Sequence, residues 1–348
     1  MTNIKTRSSK YWDKRALARL TEAERNSDWH FKEIKLLYEQ AEKETVASLK
    51  AIYESFYRQN KFDMTALEKI VPTAEAERFY EDMAKAGLSR YLPQRFAGRV
   101  RRLEMINAQL WSRTKRLAVL ENEIQTNSHV QTINGAFGKT IYDTAKGIGA
   151  TPVFSGLNSR GIDVLLNAPW QGSNYSQRIW KNSGILASQL QQTLTKAIMT
   201  GISEERALWE IRRCFNVGSF YAERLIRTET NHFENETEFL AYQEMGIEQY
   251  VFVATLDGRT SDMCRSHDGK IYKMSERQEG YNYPPLHPFC RSTVRGYVGK
   301  DYEPKIRAAR NKLGGKYFIP NMSYQEWMKD TKFNPNVHPT NVPAVMPE

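Results

Sequence analysis

A long stretch with very few helix breakers constrains the fold most strongly. Between Ser9 and Gln125 only Pro72 and Pro93 interrupt a sequence dominated by Leu, Ala, Glu, Lys and Arg, which favour helices. Within it, apolar residues recur at separations of three and four, or sums of these: Ile34, Tyr38, Ala41, Leu49, Ile52, Tyr53 and Phe56. This spacing predicts long helices with one apolar face, which packs either in the core or against another protein.

The composition changes after about residue 130. Between Gln131 and Asn174 there are seven glycines and two prolines, which predict a break in the helices and a connector of short strands or mobile chain. Helical patterning resumes from Tyr175 to Thr200 and ends at Gly201.

A second helical region follows. Ser203, with two glutamates after it, is typical of a helix N-cap, and Gly218 with Ser219 predicts a restart of the chain. The next helix is expected from about Phe220 to Met245, with Gly246 ending it.

The remaining elements predict the fold class. The segment QYVFVATL is rich in β-branched and aromatic residues and indicates a strand leading into the Asp257-Gly258 turn. We therefore predict a mainly α protein with a small α+β C-terminal domain, in which short strands surround a zinc-stapled loop. The predicted divisions are 1–130, helical; 131–174, connector; 175–300, compact domain; and 301–348, an irregular extension.

Positive charge favours a polyanionic partner. The net charge is +10 and the pI about 9.3, and the strongest local bias lies between Arg90 and Arg116, where eight basic residues face one acidic residue, Glu104. The eight are Arg90, Arg95, Arg99, Arg101, Arg102, Arg113, Lys115 and Arg116. Interleaved aromatics are typical of a nucleic-acid surface, although a solvated helix face has the same composition.

Several classes of protein are disfavoured. No apolar run approaches the roughly 20 residues of a membrane span, and no secretory signal is visible, so we expect no membrane anchor. Three cysteines do not make a disulfide framework. The sequence contains no phosphate loop of the Walker type, no Gly-x-Ser-x-Gly elbow and no His-Glu-x-x-His pair.

The most specific pattern is a pair of Cys/His pairs. Cys264-x2-His267 is followed, after nineteen residues, by His287-x2-Cys290. Thiolate sulfur and imidazole nitrogen suit tetrahedral Zn²⁺, and four such ligands would form a closed structural site. The alternative is that both cysteines are buried apolar residues and both histidines form local hydrogen bonds.

One further pair bears on catalysis. Glu229 and His232 lie one helical turn apart, which could serve acid-base chemistry, although an exposed or capping pair is the more ordinary interpretation. An enzyme, either a zinc-dependent nuclease-like protein or a transferase using Glu229, is therefore the alternative to a structural or DNA-binding role.

Three motifs resemble a known family. Arg227-Thr228-Glu229, then LDGRTSDMCRSHDGKIY, then YPPLHPFCRSTVRGYV resemble, in this order, the C-terminal domain of phage minor head proteins, the Mu F-like head morphogenesis family. The resemblance covers roughly Gly201 to Val298. PWQGSNYSQRIWKN and SKYWDKRA, further upstream, also look like these proteins.

The resemblance implies a minor structural component of a phage head. Such a protein lies inside the head near the portal vertex, after a stage in the host cytoplasm, and assists head assembly, DNA packaging or DNA ejection. The implied partners are the portal protein, double-stranded DNA bound without sequence preference, and scaffold or major capsid protein.

The resemblance also implies a metal-binding module. Its ligands carry over onto Cys264, His287 and Cys290, and its accompanying motif positions are Asp257, Arg259, Asp268, Gly269 and Arg291. Serine stands at positions 261 and 292, where richer versions of the motif have cysteine, so His267 is the nearby candidate for a fourth ligand. Three ligands plus water is the alternative.

Overall fold

A computed structural model of the chain describes residues 9–59, 61–88, 100–150 and 156–299, the strands at 306–310 and 316–320, and residues 326 and 329. The helices are α1 (Ser9–Phe56), α2 (Met64–Leu67), α3 (Thr73–Lys85), α4 (Arg102–Ile148), α5 (Ser159–Asn167), α6 (Tyr175–Thr200), α7 (Glu204–Glu244) and α8 (Asp262–His267). The strands are β1 (Tyr57–Arg58), β2 (Lys61–Phe62), β3 (Gln249–Val253), β4 (Ile271–Lys273), β5 (Thr293–Tyr297), β6 (Ile306–Arg310) and β7 (Lys316–Pro320). The predicted class, mainly α with a small α+β part, is confirmed.

The chain divides into two compact units, each assembled from separated segments. Unit 1 comprises the described residues of Met1–Asp28, Asn127–Asn167 and Ile226–Glu348, and unit 2 those of Trp29–Thr126 and Ala168–Leu225. The four divisions drawn from the sequence stay predictions. Within the described residues no helix is long and apolar enough to cross a membrane.

Two helices continue where glycines predicted breaks. α4 runs through Gly135, Gly138 and Gly147, and α7 runs through Gly218 without a restart. A Cβ on Gly147 would collide with the Trp12 ring, and one on Gly218 would lie 2.9 Å from a ring carbon of Tyr38. Each of these glycines permits an aromatic side chain to pack closely against the helix. This packing offsets the free energy that glycine costs in a helix interior.

The apolar stripe of α1 is confirmed as core. Ile34, Tyr38, Leu49 and Tyr53 are all buried within unit 2. The Tyr38 hydroxyl donates to Glu121 of α4 at 3.0 Å, and Gln125 Nε2 donates to the other carboxyl oxygen of Glu121 at 2.9 Å. Burial outweighs these hydrogen bonds and raises the pKa of Glu121 to about 7.

Glu121 makes the stability of unit 2 depend on pH. Since its pKa is about 7 when folded and near 4.5 when unfolded, its contribution is complete below pH 4.5 and is lost as the pH rises through 7. Glu121→Gln should remove this dependence, which amounts to about 3 kcal/mol between pH 4.5 and 8. Urea unfolding at several pH values measures it, with exposed Glu123→Gln as the matched control. An equally steep fall in both variants would contradict the assignment.

Unit 1 contains a three-stranded antiparallel sheet in the order β4-β3-β5. Its central strand β3 confirms the strand predicted after Gly246, and Tyr250 and Phe252 point to the same face because they lie two residues apart. One buried cluster joins Tyr242, Ile247, Tyr250, Met274, Tyr283 and Val294. A second joins Phe252, Ala254, Cys264, Leu286 and Cys290. The sheet thus supplies apolar packing around the cysteines.

The tail is not wholly irregular, contrary to prediction. β6 and β7 pair antiparallel, with Arg310 opposite Lys316.

A buried ionic network lies at the centre of unit 1. The Arg19 guanidinium bonds Glu238 at 2.5 Å, Asp143 at 2.9 Å and the Tyr242 hydroxyl at 3.1 Å. Both Arg19 and Glu238 are almost inaccessible to solvent. Such an arrangement is stable only when every charge keeps its partner, so the network links α1, α4 and α7 within unit 1.

Candidate metal centre

The first part of the site is the short helix α8. Ser261 caps it by accepting a hydrogen bond from Cys264 N at 3.2 Å, which orients the first turn and buries the Cys264 side chain. The helix stops before Asp268-Gly269, where Gly269 adopts a φ of +75°.

The second part is a tight turn over residues 287–290. Cys290 N donates to the His287 carbonyl at 3.1 Å, so the turn brings both side chains together. Phe289 has a φ of +59°, and its N–H is anchored 3.1 Å from Thr228 Oγ1 of α7. α7 therefore holds the turn in place.

Three predicted ligands meet here. Cys264 Sγ lies 3.3 Å from His287 Nε2 and 3.7 Å from Cys290 Sγ, and all three donor atoms lie within 4.8 Å of one another. Both cysteines are free thiols. Among the residues that the structure describes, no other group of three or more Cys, His, Asp or Glu side chains meets this spacing.

The separations fit one tetrahedral ion. Two sulfurs each about 2.3 Å from Zn²⁺ would lie about 3.8 Å apart, and a sulfur and an imidazole nitrogen about 3.6 Å apart. The observed 3.7 Å and 3.3 Å are close to both values. Two thiols and an imidazole are also a donor set that Zn²⁺ prefers.

The three side chains of the site shift one another's pKa values. A hydrogen bond from Cys264 lowers the pKa of Cys290 to about 6, and the same contact, helped by burial, raises the pKa of Cys264. The bond to Cys264 also raises the pKa of His287. Cys290 therefore has the greater thiolate character of the two cysteines.

A backbone contact orients the imidazole. His287 Nδ1 lies 2.8 Å from the Pro288 carbonyl oxygen and can only donate to it. This contact leaves the Nε2 lone pair directed at Cys264, which is the arrangement that metal-binding histidines usually have.

His267, predicted as the fourth ligand, is not part of the group. Its Nδ1 lies 2.6 Å from the Tyr272 hydroxyl, and its ring packs edge-on against Tyr281 and at a tilt against Phe252. Cys264 and His267 lie three residues apart on α8, but these ring contacts hold the His267 imidazole away from the other three donor atoms.

Two acidic motif residues fix the loops around the site. Asp257 forms a two-point ion pair with Arg291, at 2.5 and 2.8 Å, and accepts the Arg259 N–H at 2.9 Å. The Arg291 bond and burial act in opposite directions, and the pKa of Asp257 is lowered overall. Asp268 accepts the Ala254 N–H at 2.9 Å.

Asparagines of α7 complete the support, and they were not predicted from the sequence. Asn231 Nδ2 donates to the Ser292 carbonyl at 3.0 Å, and Asn235 Oδ1 accepts from Thr293 Oγ1 at 3.2 Å. With Thr228 they form a polar row at helical spacing, which is the signal that would have indicated them. Arg227, the other motif position here, pairs with Asp28 at 2.6 Å.

The expectation that Glu229 and His232 are exposed or capping is wrong. They are 1% and 5% exposed, and His232 Nδ1 contacts the Glu279 carboxylate. The structure gives His232 a partner outside its own helix, which helical spacing alone does not reveal.

Some side chains of the basic stretch between Arg90 and Arg116 make contacts within unit 2. Arg90, Arg95 and Arg99 lie outside the described residues. Arg102 pairs with a glutamate of α3, Arg113 donates to Ser48 at 2.6 Å, and Lys115 lies over two tryptophan rings at 5.5 and 5.4 Å. Arg101 and Arg116 are exposed.

The fold and the site define a class of protein: a mainly helical chain with a small Cys/His-bearing α+β module. Comparison with known families identifies it further, since residues 188–295 match the family model Phage Mu protein F like protein. Residues 188–295 are therefore a Mu F-like segment, similar to a family of phage head proteins. No curated protein and no solved structure matches it.

Proposed function

We propose that this chain is a minor head protein that binds the portal protein and assists head assembly, DNA packaging or ejection. The observation that carries the proposal is the family match over residues 188–295, which includes the Cys/His module. In this proposal the module binds a structural Zn²⁺ through Cys264, His287 and Cys290. The ion would cross-link α8 to the 287–290 turn.

The DNA part of the proposal rests on charge. The net charge of +10 favours polyanions, and exposed Arg101 and Arg116 are available for phosphate contact. Such contact would be insensitive to sequence, because phosphates carry no base information.

The test combines the purified chain with the portal protein of the same phage and with duplex DNA. We expect co-sedimentation with the portal, and a DNA affinity that falls about tenfold between 50 and 200 mM salt for every two phosphates contacted. Arg101→Ala with Arg116→Ala should reduce the salt dependence by about two phosphate contacts. Lys181→Ala, an exposed charge on α6, is the matched control.

Each part can fail separately. A chain that sediments alone at every salt concentration contradicts portal binding, and a DNA affinity that does not change with salt contradicts phosphate contact. A hydrolytic role is the second candidate, because a group of three ligands leaves one Zn²⁺ position for water. It predicts duplex cleavage by the zinc-loaded chain that Cys290→Ser abolishes.

A further inference from the structure

An exposed stripe of arginine and apolar residues runs along α7 in unit 2. It consists of Arg206, Trp209, Arg213, Val217, Phe220 and Arg224, at successive separations of three, four, four, three and four; Arg224 is half-buried and the other five are exposed. This spacing places all six on one helical face, hereafter the α7 stripe. Trp209 is 53% exposed, Phe220 52% and Val217 38%.

The arginines of the stripe are organised by aromatic rings. The guanidinium groups of Arg206 and Arg213 lie 5.7 and 5.6 Å from the Trp209 ring centre, and that of Arg224 lies 4.7 Å from the ring centre of Tyr221. Stacking limits the conformations of long side chains, so less entropy is lost when a partner binds them.

Folding of unit 2 does not account for the stripe. α7 already has a core face, made of Ala207, Leu208, Ile211, Phe215 and Ala222, all of them buried. Three large apolar side chains exposed in line on the other face are unusual for a surface without a partner, and Trp and Arg are the residues most enriched where binding energy concentrates.

We infer that the α7 stripe is a docking surface for a protein partner that presents an apolar groove edged by carboxylates. Trp209 and Phe220 would fill the groove, and the arginines would meet the carboxylates. The inference depends on the proposed function only in taking the partner to be another protein of the phage head.

Neighbouring acidic residues favour a protein over DNA. Glu205, Glu210 and Glu223 lie on α7 beside the stripe, and Arg206 already donates to Glu210 at 3.4 Å. A continuous polyanion would have to pass these carboxylates as well as the arginines, whereas separate carboxylates on a protein need approach only the arginines. Phosphates would also leave the exposed Trp209 and Phe220 rings without apolar contact.

Photo-crosslinking in assembled heads tests the inference. A photoreactive amino acid is placed at position 217 of the full chain, with position 181 on α6 as the control, and crosslinked peptides from purified heads are sequenced. We expect position 217 to crosslink to an Asp- or Glu-containing segment of another head protein, and position 181 not to. Adding Arg213→Glu should lower the crosslinking yield at position 217 about tenfold, because like charges then face each other across the interface. Lys181→Glu should leave that yield unchanged, and both variants should keep the parent's melting temperature.

The outcomes separate the two proposals. Crosslinks to DNA or to a second copy of the chain, or no crosslink in heads that contain the chain, overturn the docking surface and leave the proposed function standing. A chain absent from purified heads overturns both. Crosslinks to any head protein, the portal included, support the docking surface, and portal binding itself is tested by the co-sedimentation described above. Replacing a crosslinked carboxylate with lysine should restore the yield of the Arg213→Glu chain.

Discussion

Arg19→Met is expected to lower the free energy of unfolding of unit 1 by about 3–5 kcal/mol, the usual cost of removing one partner from a buried ion pair. Methionine retains the length of the side chain, so the loss measures the charge contacts more than a cavity. Glu238 would keep its carboxylate in a buried position, and among the described residues Thr293 Oγ1, at 3.4 Å, would be its remaining donor. Urea unfolding at constant pH measures the change.

The matched control is Arg15→Met. Arg15 binds the same Asp143, at 3.3 Å, but is 42% exposed, so its loss should cost at most about 1 kcal/mol. The double variant Arg19→Met with Glu238→Gln should recover much of the stability, because the uncompensated charge is gone. Equal losses in the Arg19 and Arg15 variants would show that the buried network is not a major source of stability.

The Arg19→Met defect should also depend on pH. Burial raises the pKa of Glu238, and Arg19 opposes that shift. Without the arginine, the pKa of Glu238 in the folded state rises further above its value in the unfolded state. The protonated carboxyl then stabilises the folded state fully at a pH below the unfolded pKa, and this stabilisation is lost as the pH rises through the folded pKa. The deficit is therefore expected to be smaller at pH 5 than at pH 8.

Local patterns predicted the helices well where burial and periodicity agree. The boundaries of α6, from Tyr175 to the Gly201 cap, and the buried stripe of α1 follow from spacing and end signals. Glycine misled the prediction at positions 147 and 218, because a glycine that breaks a helix and one that admits an aromatic ring look the same in sequence. Only the partners, Trp12 and Tyr38, distinguish them.

Spacing predicted part of the candidate site. Close pairs of ligands indicated that Cys264, His287 and Cys290 would meet, but a pair separation does not fix the direction of a side chain, and His267 turns to Tyr272. Contacts made by residues far apart in sequence, such as Arg19 with Glu238, were beyond prediction because no local pattern specifies them. The α7 stripe has helical spacing, yet its exposure is known only from the packing of the opposite face.

Cys290→Ser is expected to remove the bound metal ion and to destabilise unit 1. The parent, purified without added metal or chelator, should contain about one Zn²⁺ per chain, and the variant almost none, because serine oxygen is a poor substitute for thiolate on zinc. Loss of the ion should destabilise unit 1 by about 3 kcal/mol or more, since metal binding and folding share one free energy. Elemental analysis measures the zinc, and thermal unfolding with and without chelator measures the stability.

Two substitutions distinguish the ligand set from the cysteines and histidines around it. Cys214→Ser, at a half-buried thiol of α7 in unit 2, and His267→Ala should both retain zinc, whereas His287→Ala should lose it. Chelator should lower the melting temperature of the parent to that of Cys290→Ser and leave the variant unchanged. A parent without metal would leave Cys264 and Cys290 as packing residues of the Phe252 cluster. Zinc lost as completely in His267→Ala as in His287→Ala would instead restore the four-ligand site that sequence spacing predicts, and would require the His267 ring to move toward the other three ligands when the ion binds.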